Sequence, residues 1–164
     1  GSIGQAQLQW LESHLAAADR DGRLVVLASH HGVDSLVNTR GDDPSRRLAA
    51  DLLAVVHRHP CVVAWLAGHR HIHRVTPRPG PSGGFWEITT GSIVDWPVER
   101  RSIEIVRHAG GAVEIVSTVQ AHDAPADSLA GIHRQVAQLF AGQQVRSAMA
   151  GRDVDRDVRL FVDR

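Results

Sequence analysis

The sequence lacks lysine and tyrosine, has a single cysteine, and contains no long apolar run. Because Cys61 has no second cysteine to pair with, an intrachain disulfide is excluded. The longest apolar runs, 24–28 and 61–67, fall well short of the ~18 residues that a membrane-spanning helix needs. Eighteen basic and eighteen acidic residues cancel, so the net charge gives no reason to expect a nucleic acid or an anionic membrane as partner.

What the sequence does have is the composition of one globular domain and an excess of histidine. The chain has 164 residues, of which 43% are hydrophobic, and a domain takes ~150 residues. Eleven residues are histidines. Five of them, His57, His59, His69, His71 and His73, fall within a short stretch. We therefore look for the chemistry among the histidines.

Helix and strand patterns alternate along the first half of the chain. The predicted helices cover residues 3–18, with a capping box of Ser2 and Gln5, the segment from Asp43–Pro44 to Pro60, and residues 128–150, which Ser128 caps. The predicted strands are 24–28, 61–67, 85–90, 102–108 and 112–120, with 152–164 either an edge strand or a tail. The unbroken apolar character of 24–28 and 61–67 is typical of strands buried on both faces, and the helix between them predicts a parallel pair.

The second half has the pattern of antiparallel strands. Ala109–Gly111 is predicted to be the turn that joins two strands into a hairpin, and Glu104 and Glu114 alternate with apolar residues. One face of this hairpin is therefore predicted to be exposed to water. The proline- and glycine-rich segment 77–84 is predicted to be a surface loop.

Both predicted parallel strands end at histidines. His30 and His31 follow the first strand, and His69 and His71 follow the second. Because parallel strands end at one edge of a sheet, we expect these imidazoles to lie close together, and imidazole is a ligand for zinc, iron, manganese or nickel. Residues two apart in a regular strand point to opposite faces. His69 and His71 can therefore serve one centre only if Gly68 lets the chain turn, and otherwise ligate two neighbouring ions.

The remaining histidines have simpler explanations, with one exception. Surface or capping roles are expected for His14, His57, His59, His108, His122 and His133, with His57 and His59 complementing the C-terminal end of a helix. We predict that Trp65, Trp86 and Trp96 form core or pocket wall, and that Asp34, Asp42 and Asp43 are solvated loop or cap residues. The role of His73 stays open.

Two motifs and a following strand resemble a known family. The hydrophobic run 24–28 followed by Ser29-His30-His31, and then Gly68-His69-Arg70-His71, resembles the two closing motifs of the calcineurin-like metallophosphoesterase superfamily. The stretch 85–92, with Asp95-Trp96-Pro97 after it, is similar to the next strand in a bacterial, largely actinobacterial, branch. The resemblance covers roughly residues 1–120.

The resemblance implies a two-metal hydrolase site. His30 and His69 would ligate one divalent ion and His71 the other. His31 would either replace His30 or support it, and it is assigned with Arg70 to substrate binding. In this superfamily two ions, commonly manganese, iron or zinc, bind a phosphate ester and activate water for in-line attack at phosphorus. Arg70 would help to bind the anionic substrate, a small-molecule phosphomonoester or phosphodiester, or else form an exposed salt bridge.

The fold implied is α/β, the C-terminal portion of a calcineurin-like sandwich in which layers of helices surround mixed β-sheets. Residues 1–127 would form the second half of the metallophosphoesterase domain, and 128–164 would be a helix and tail packed on it. The superfamily's earlier aspartate and asparagine motifs do not occur in this sequence. We therefore expect this chain alone to be inactive, and to expose apolar surface that a missing N-terminal half or a second copy covers.

A binding module is the rival interpretation. In it, a degenerate phosphoesterase scaffold holds one ion or none and docks a protein partner. Upstream sequence without the aspartate motifs would favour this alternative. The residues leave the compartment open, because a signal upstream would direct export.

Overall fold

The computed structural model describes residues 1–163 and has a mixed α/β fold, as predicted. The helices are α1 (Gln5–Arg20), α2 (Ala49–Val56), α3 (Leu129–Ala141) and α4 (Gln143–Ala150). The strands are β1 (Ile3–Gly4), β2 (Val25–Ser29), β3 (Arg46–Arg47), β4 (Val62–Ala67), β5 (Arg74–Arg78), β6 (Phe85–Thr89), β7 (Glu99–Arg107), β8 (Val113–Ala121) and β9 (Val158–Val162). Within residues 1–163, no helix combines the length and the apolar character that crossing a membrane requires.

The chain forms two compact units. The first comprises Gly1–His69 and Pro77–Glu87, and the second comprises Arg70–Thr76 and Ile88–Asp163. The division predicted at residue 127 stays a prediction. Because the candidate ligands follow β2 and β4, the first unit matters most for the site.

The first unit is built around the parallel pair of β2 and β4, which confirms the prediction. The register runs from Val26 opposite Ala64 to Ser29 opposite Ala67, so the two strands end side by side. Helices α1 and α2 contribute apolar side chains to the core, which includes Leu8, Leu15, Leu52, Val56, Val62 and Trp65. Burial of each large apolar side chain stabilises the fold by ~1.5–3 kcal/mol.

The two strands differ in their burial. β4 is buried along nearly its whole length, as predicted, whereas β2 is only partly buried and Val26 is exposed. The order of the four-stranded sheet is β2-β4-β6-β5, so β2 lies at an edge. The prediction that β2 is buried on both faces is therefore wrong: Val26 and Ala28, which share one face, are exposed, and Val25 and Leu27 on the other face are only half-buried.

Both predicted helix starts in this unit are corrected. Ser2 does not cap α1, because Ile3 and Gly4 pair with β3 as extended backbone and the helix begins after them. Asp43 does not cap α2 either: its carboxylate accepts the Ser45 N–H at 2.9 Å within a turn. Instead the helix begins at Ala49, where the Asp51 carboxylate accepts the Leu48 N–H at 2.9 Å.

The second unit contains a three-stranded antiparallel sheet in the order β7-β8-β9. The hairpin of β7 and β8 is confirmed, and the last segment is an edge strand rather than a tail. Alternate residues of β7 are exposed, as the prediction of a wet face requires. Glu114 on β8 is nevertheless buried, because β8 is the central strand; its carboxylate pairs with Arg159 at 2.7 Å and with His108 at 3.0 Å.

The predicted helix over 128–150 is two helices. Gly142 separates α3 from α4 and has a φ of 66°, a left-handed conformation that glycine adopts without a steric penalty. The predicted cap is confirmed, because the Ser128 hydroxyl accepts the Gly131 N–H at 3.1 Å. Segment 77–84 is only partly a loop, since β5 continues through Arg78.

Candidate metal centre

The ends of β2 and β4 place three histidines in one cluster. Ser29 and Ala67 are register partners, so the residues that follow them leave the sheet together. The Gly68 N–H donates to the His30 carbonyl at 3.1 Å and ties the two chain segments just beyond the strands. Three of the four histidines expected to converge, His30, His31 and His69, lie together in the first unit, whereas His71 belongs to the second unit.

The cluster consists of His30, His31 and His69. Each offers one ring nitrogen, and these nitrogens all lie within 4.8 Å of one another. His69 Nδ1 and His30 Nε2 are 3.2 Å apart, and the ring centroids of His31 and His69 are 4.0 Å apart. Two imidazole nitrogens on one tetrahedral ion lie about 3.3 Å apart, given metal–nitrogen distances of about 2.0–2.1 Å. His30 Nε2 and His69 Nδ1 are therefore spaced as two ligands of one divalent ion, and a nitrogen of His31 lies within 4.8 Å of both.

A hydrogen bond to the Ser35 hydroxyl oxygen fixes which nitrogen of His31 is free. The Ser35 hydroxyl donates its one hydrogen to the Gly32 carbonyl at 3.0 Å. Its oxygen can then only accept from His31 Nδ1, which lies 3.2 Å away. His31 is therefore protonated on Nδ1 and carries its lone pair on Nε2, as a histidine ligand requires.

Electrostatics favours the same neutral form. Burial, followed by the charge of neighbouring His69, lowers the pKa of His31 below its ordinary value. A neutral imidazole binds metal, whereas an imidazolium does not. His30 and His69 are exposed and His31 is half-buried, so the cluster is open to an ion and to a ligand from solvent.

The turn after β4 is made by the histidines themselves. His69 and His71 have φ values of 62° and 51°, in the left-handed region that non-glycine residues seldom occupy. Gly68, one of the two alternatives considered, is not among the residues with positive φ. Strained backbone of this kind is concentrated at functional sites.

His71 lies in the second unit, where it pairs with Asp95. The His71 Nδ1 and Asp95 Oδ2 atoms are 2.5 Å apart. Asp95 is itself held by a turn in which the Ser92 hydroxyl accepts the N–H groups of Val94 and Asp95 at 3.0 and 3.1 Å. Since a carboxylate only accepts, His71 donates from Nδ1 and keeps its lone pair on Nε2. Arg70, the candidate for substrate binding, is exposed.

His73, whose role was open, is part of a buried polar network in the second unit. Its Nδ1 accepts the Gly91 N–H at 3.2 Å and faces Arg101 Nη2 at 3.1 Å. Burial, and then the charge of Arg101, lower the pKa of His73 to about 4. The Glu99 carboxylate supplies negative charge to this network and accepts two hydrogen bonds from Arg156, each at 3.0 Å. His73 is thus neutral and is held by contacts within the second unit.

Several other assignments can be checked. Trp65 is buried, as predicted. Asp34 is exposed, as predicted, and also pairs with Arg78 at 2.8 Å. His59 lies beyond the end of α2. Its imidazole pairs with Asp19 at 2.6 Å, while its backbone N–H donates to the Val56 carbonyl at 3.1 Å.

Two residues beside the cluster, Ser35 and Glu87, were not predicted as site residues, and neither was Asp95, the partner of His71 in the second unit. Glu87 is the clearest, since it is buried in a mostly apolar strand and accepts the Val33 N–H at 2.8 Å. The sequence signal for Glu87 is a carboxylate within a mostly apolar strand, because a buried carboxylate needs hydrogen-bond partners.

The fold and the cluster together define an α/β protein with a candidate divalent-metal centre. No family model matches this sequence. The chain is similar to part of the manganese-dependent ADP-ribose/CDP-alcohol diphosphatase of Xenopus tropicalis, with 32% identity over 104 residues, 62% of this chain and 28% of that protein. The protein of the same name from Xenopus laevis is 28% identical over 107 residues, 62% of this chain and 27% of the relative. This chain thus matches about a quarter of the length of these relatives.

A solved structure can be compared as well. The crystal structure of a dimetal phosphatase from Danio rerio aligns with a TM-score of 0.49 and 24% sequence identity. The alignment covers 73% of this chain and 36% of that chain.

Proposed function

We propose that this chain supplies the histidine ligands of a two-metal centre that hydrolyses phosphate esters. The observation that carries the proposal is the convergence of His30, His31 and His69, with ligand nitrogens within 4.8 Å of one another. In the proposal, His30 Nε2 and His69 Nδ1 hold one ion, with His31 Nε2 as alternative or additional ligand. His71 Nε2 holds the other ion, and the Asp95 carboxylate orients its ring.

The ions supply charge neutralisation at the phosphoryl oxygens and lower the pKa of water. The residues of this chain hold and orient them. Arg70 follows His69 directly and is exposed, so its guanidinium is proposed to bind the anionic substrate through charge-assisted hydrogen bonds.

The names of the relatives favour manganese and a diphosphate substrate. Two relatives are manganese-dependent diphosphatases. We therefore propose Mn²⁺ ahead of iron or zinc, and a small molecule with a phosphate ester or diphosphate linkage such as ADP-ribose as substrate.

A complete two-metal centre needs more than these histidines. Within the described residues, the cluster of three contains imidazole only, with no carboxylate to bridge two ions. The remaining ligands are proposed to come from an N-terminal half that carries the superfamily's aspartate and asparagine motifs, or from a second copy of the chain. This chain alone is then inactive or nearly so.

The first test compares hydrolysis by this chain with hydrolysis by the longer protein. Both are assayed with bis-p-nitrophenyl phosphate and ADP-ribose in the presence of Mn²⁺. We expect activity in the longer protein only, and we expect His69→Ala and His71→Ala to abolish it without unfolding the protein. His14→Ala, which removes an exposed histidine of α1, is the matched control and should leave activity unchanged.

Two outcomes would contradict the proposal. Wild-type activity in both His69→Ala and His71→Ala would show that these two histidines are not metal ligands. Silence of the longer protein, with metal demonstrably bound, would favour the non-catalytic metal-binding or interaction module instead.

A further inference from the structure

We propose that Glu87 is a positioning residue for the histidine cluster: its buried carboxylate fixes the turn that holds His31 in its ligand tautomer. This inference rests on the proposed function only in taking the histidines as metal ligands. Glu87 belongs to β6, lies within the first unit and is 4% exposed. A carboxylate buried to this degree needs partners for both oxygens.

Both oxygens of Glu87 have such partners, and one of them is backbone beside the cluster. Oε1 accepts the Val33 N–H at 2.8 Å, across 54 residues of sequence. Oε2 accepts from Arg78 Nε at 2.7 Å. The same Arg78 guanidinium reaches Asp34 Oδ1 at 2.8 Å. Glu87 and Arg78 together therefore hold Val33 and Asp34, two consecutive residues of the short 3-10 turn Val33–Ser35.

That turn is what supports His31. Its last residue, Ser35, donates from both its N–H and its hydroxyl to the Gly32 carbonyl, at 3.1 and 3.0 Å. The Ser35 oxygen is thereby left to accept from His31 Nδ1 at 3.2 Å. A continuous series of contacts thus runs from the Glu87 carboxylate through Val33 and Ser35 to the imidazole ring.

Gly32 shows how closely the Glu87 carboxylate approaches the loop that follows β2 and carries His30 and His31. A Cβ atom built on Gly32 would overlap Glu87 Oε1 and lie 3.1 Å from the Ala67 Cβ. The backbone of Gly32 is extended, with a φ of −84°, so an alanine there would be opposed by the carboxylate and not by its own backbone. Glu87 therefore packs against the segments that end β2 and β4.

The test is a Co²⁺ titration of this chain followed by its visible absorption spectrum, which reports ligand number and geometry. In Glu87→Gln, the side chain at position 87 has one accepting oxygen and one donating NH2 group. Its NH2 group therefore faces a donor in either orientation, the Val33 N–H or Arg78, and one of the two contacts that hold the turn is lost. We expect Co²⁺ affinity to fall about 10- to 100-fold, the range for residues that support metal ligands, with an altered spectrum. Glu114→Gln is the matched control, since Glu114 is 7% exposed and also bonded to an arginine, but lies in the other unit.

A second variant protects the test against misfolding. Gly32→Ala displaces the Glu87 carboxylate without removing it, so we expect Co²⁺ affinity to fall in this variant as well. In the double variant Gly32→Ala/Glu87→Gln, the loss of Co²⁺ binding free energy should be smaller than the sum of the losses in the two single variants. Gly4→Ala is its control, because a Cβ on Gly4 meets nothing within 4 Å. Retained affinity and spectrum in both Glu87→Gln and Gly32→Ala would overturn the inference.

A metal-free readout separates this inference from the proposed function. Long-range ¹⁵N NMR of the His31 ring at pH 8 should show the Nδ1–H tautomer in wild type and Glu114→Gln, and a mixture of tautomers in Glu87→Gln. If wild type takes up no Co²⁺ while the tautomer still changes, the metal assignment fails and the positioning role stands. An unchanged tautomer in Glu87→Gln overturns the positioning role whether or not metal binds.

Discussion

At the scale of single residues, Asp155 shows how one buried carboxylate joins distant parts of the second unit. It is 3% exposed, and it accepts the Val75 N–H at 2.9 Å and Arg152 Nε at 2.8 Å. Burial alone would raise the pKa of this carboxyl. The hydrogen bonds from Arg152 and Val75 outweigh burial and hold the pKa below its ordinary value.

The direction of this shift predicts a pH dependence. Because the pKa of Asp155 is lower in the folded chain than in the unfolded chain, its contribution is complete above the unfolded pKa of about 4 and is lost as the pH falls through the folded value. We expect Asp155→Asn to lower the free energy of unfolding by about 1–3 kcal/mol at pH 7, measured by urea denaturation. The difference from wild type should shrink below about pH 4.

The control is Asp127→Asn, which changes an exposed carboxylate. It should leave the free energy of unfolding nearly unchanged both at pH 7 and below about pH 4. A difference between wild type and Asp155→Asn that stays constant down to pH 3 would mean that the charge of Asp155 does not contribute to stability.

At the scale of elements, the start of α3 depends on a single cap. The Ser128 hydroxyl accepts the Gly131 N–H and donates to the Pro125 carbonyl at 2.6 Å, so it joins the helix to the preceding loop. We expect Ser128→Ala to lower the free energy of unfolding by about 1 kcal/mol, because the Gly131 N–H loses its acceptor. Thermal unfolding measures this change.

The same substitution inside a helix gives the opposite expectation. Ser147 is exposed in the middle of α4. Because alanine is the better helix former, Ser147→Ala should be neutral or stabilising by a few tenths of a kcal/mol. Equal destabilisation in both variants would show that loss of the hydroxyl as such, and not the cap, is responsible.

The elements also show what sequence can predict. The parallel pair β2–β4 and the hairpin β7–β8 follow from apolar runs and a glycine turn, which are local signals. Because the ends of β2 and β4 follow from their apolar runs, the cluster of His30, His31 and His69 could be predicted from the sequence. The contact of Glu87 with Val33 spans 54 residues. Such a contact depends on sheet order, which local pattern does not encode.

Corrections at the element scale have the same origin. Gly142 ends one helix and starts another, although apolar spacing continues across it, because the pattern does not show which φ the glycine takes. Glu114 has the alternation of an exposed residue but lies on a central strand. Its burial is decided by the pairing of β8 with β9, which the sequence left as either a strand or a tail.

At the scale of the whole molecule, one helix face carries more exposed apolar surface than folding explains. Leu129, Leu139 and Phe140 are 86%, 80% and 88% exposed, and Ile132 and Val136 are exposed beside them. Their spacing places these five side chains on one side of α3. This agrees with the expectation that the chain exposes apolar surface, and contiguous patches of this kind mark interfaces or aggregation sites.

The patch predicts how the chain behaves in solution. Because the side chains of Leu139 and Phe140 make little contact, replacing both with glutamate should change the free energy of unfolding by only about 0.5 kcal/mol each. The same double variant should reduce binding of the dye ANS and lower the fraction of self-associated chain in analytical ultracentrifugation. Val37→Glu is the control, since Val37 is 65% exposed but lies in a loop and should change neither measurement. A wild-type chain that is monomeric and binds no ANS would show that this face needs no cover, and the expectation of a missing half or second copy would lose its support.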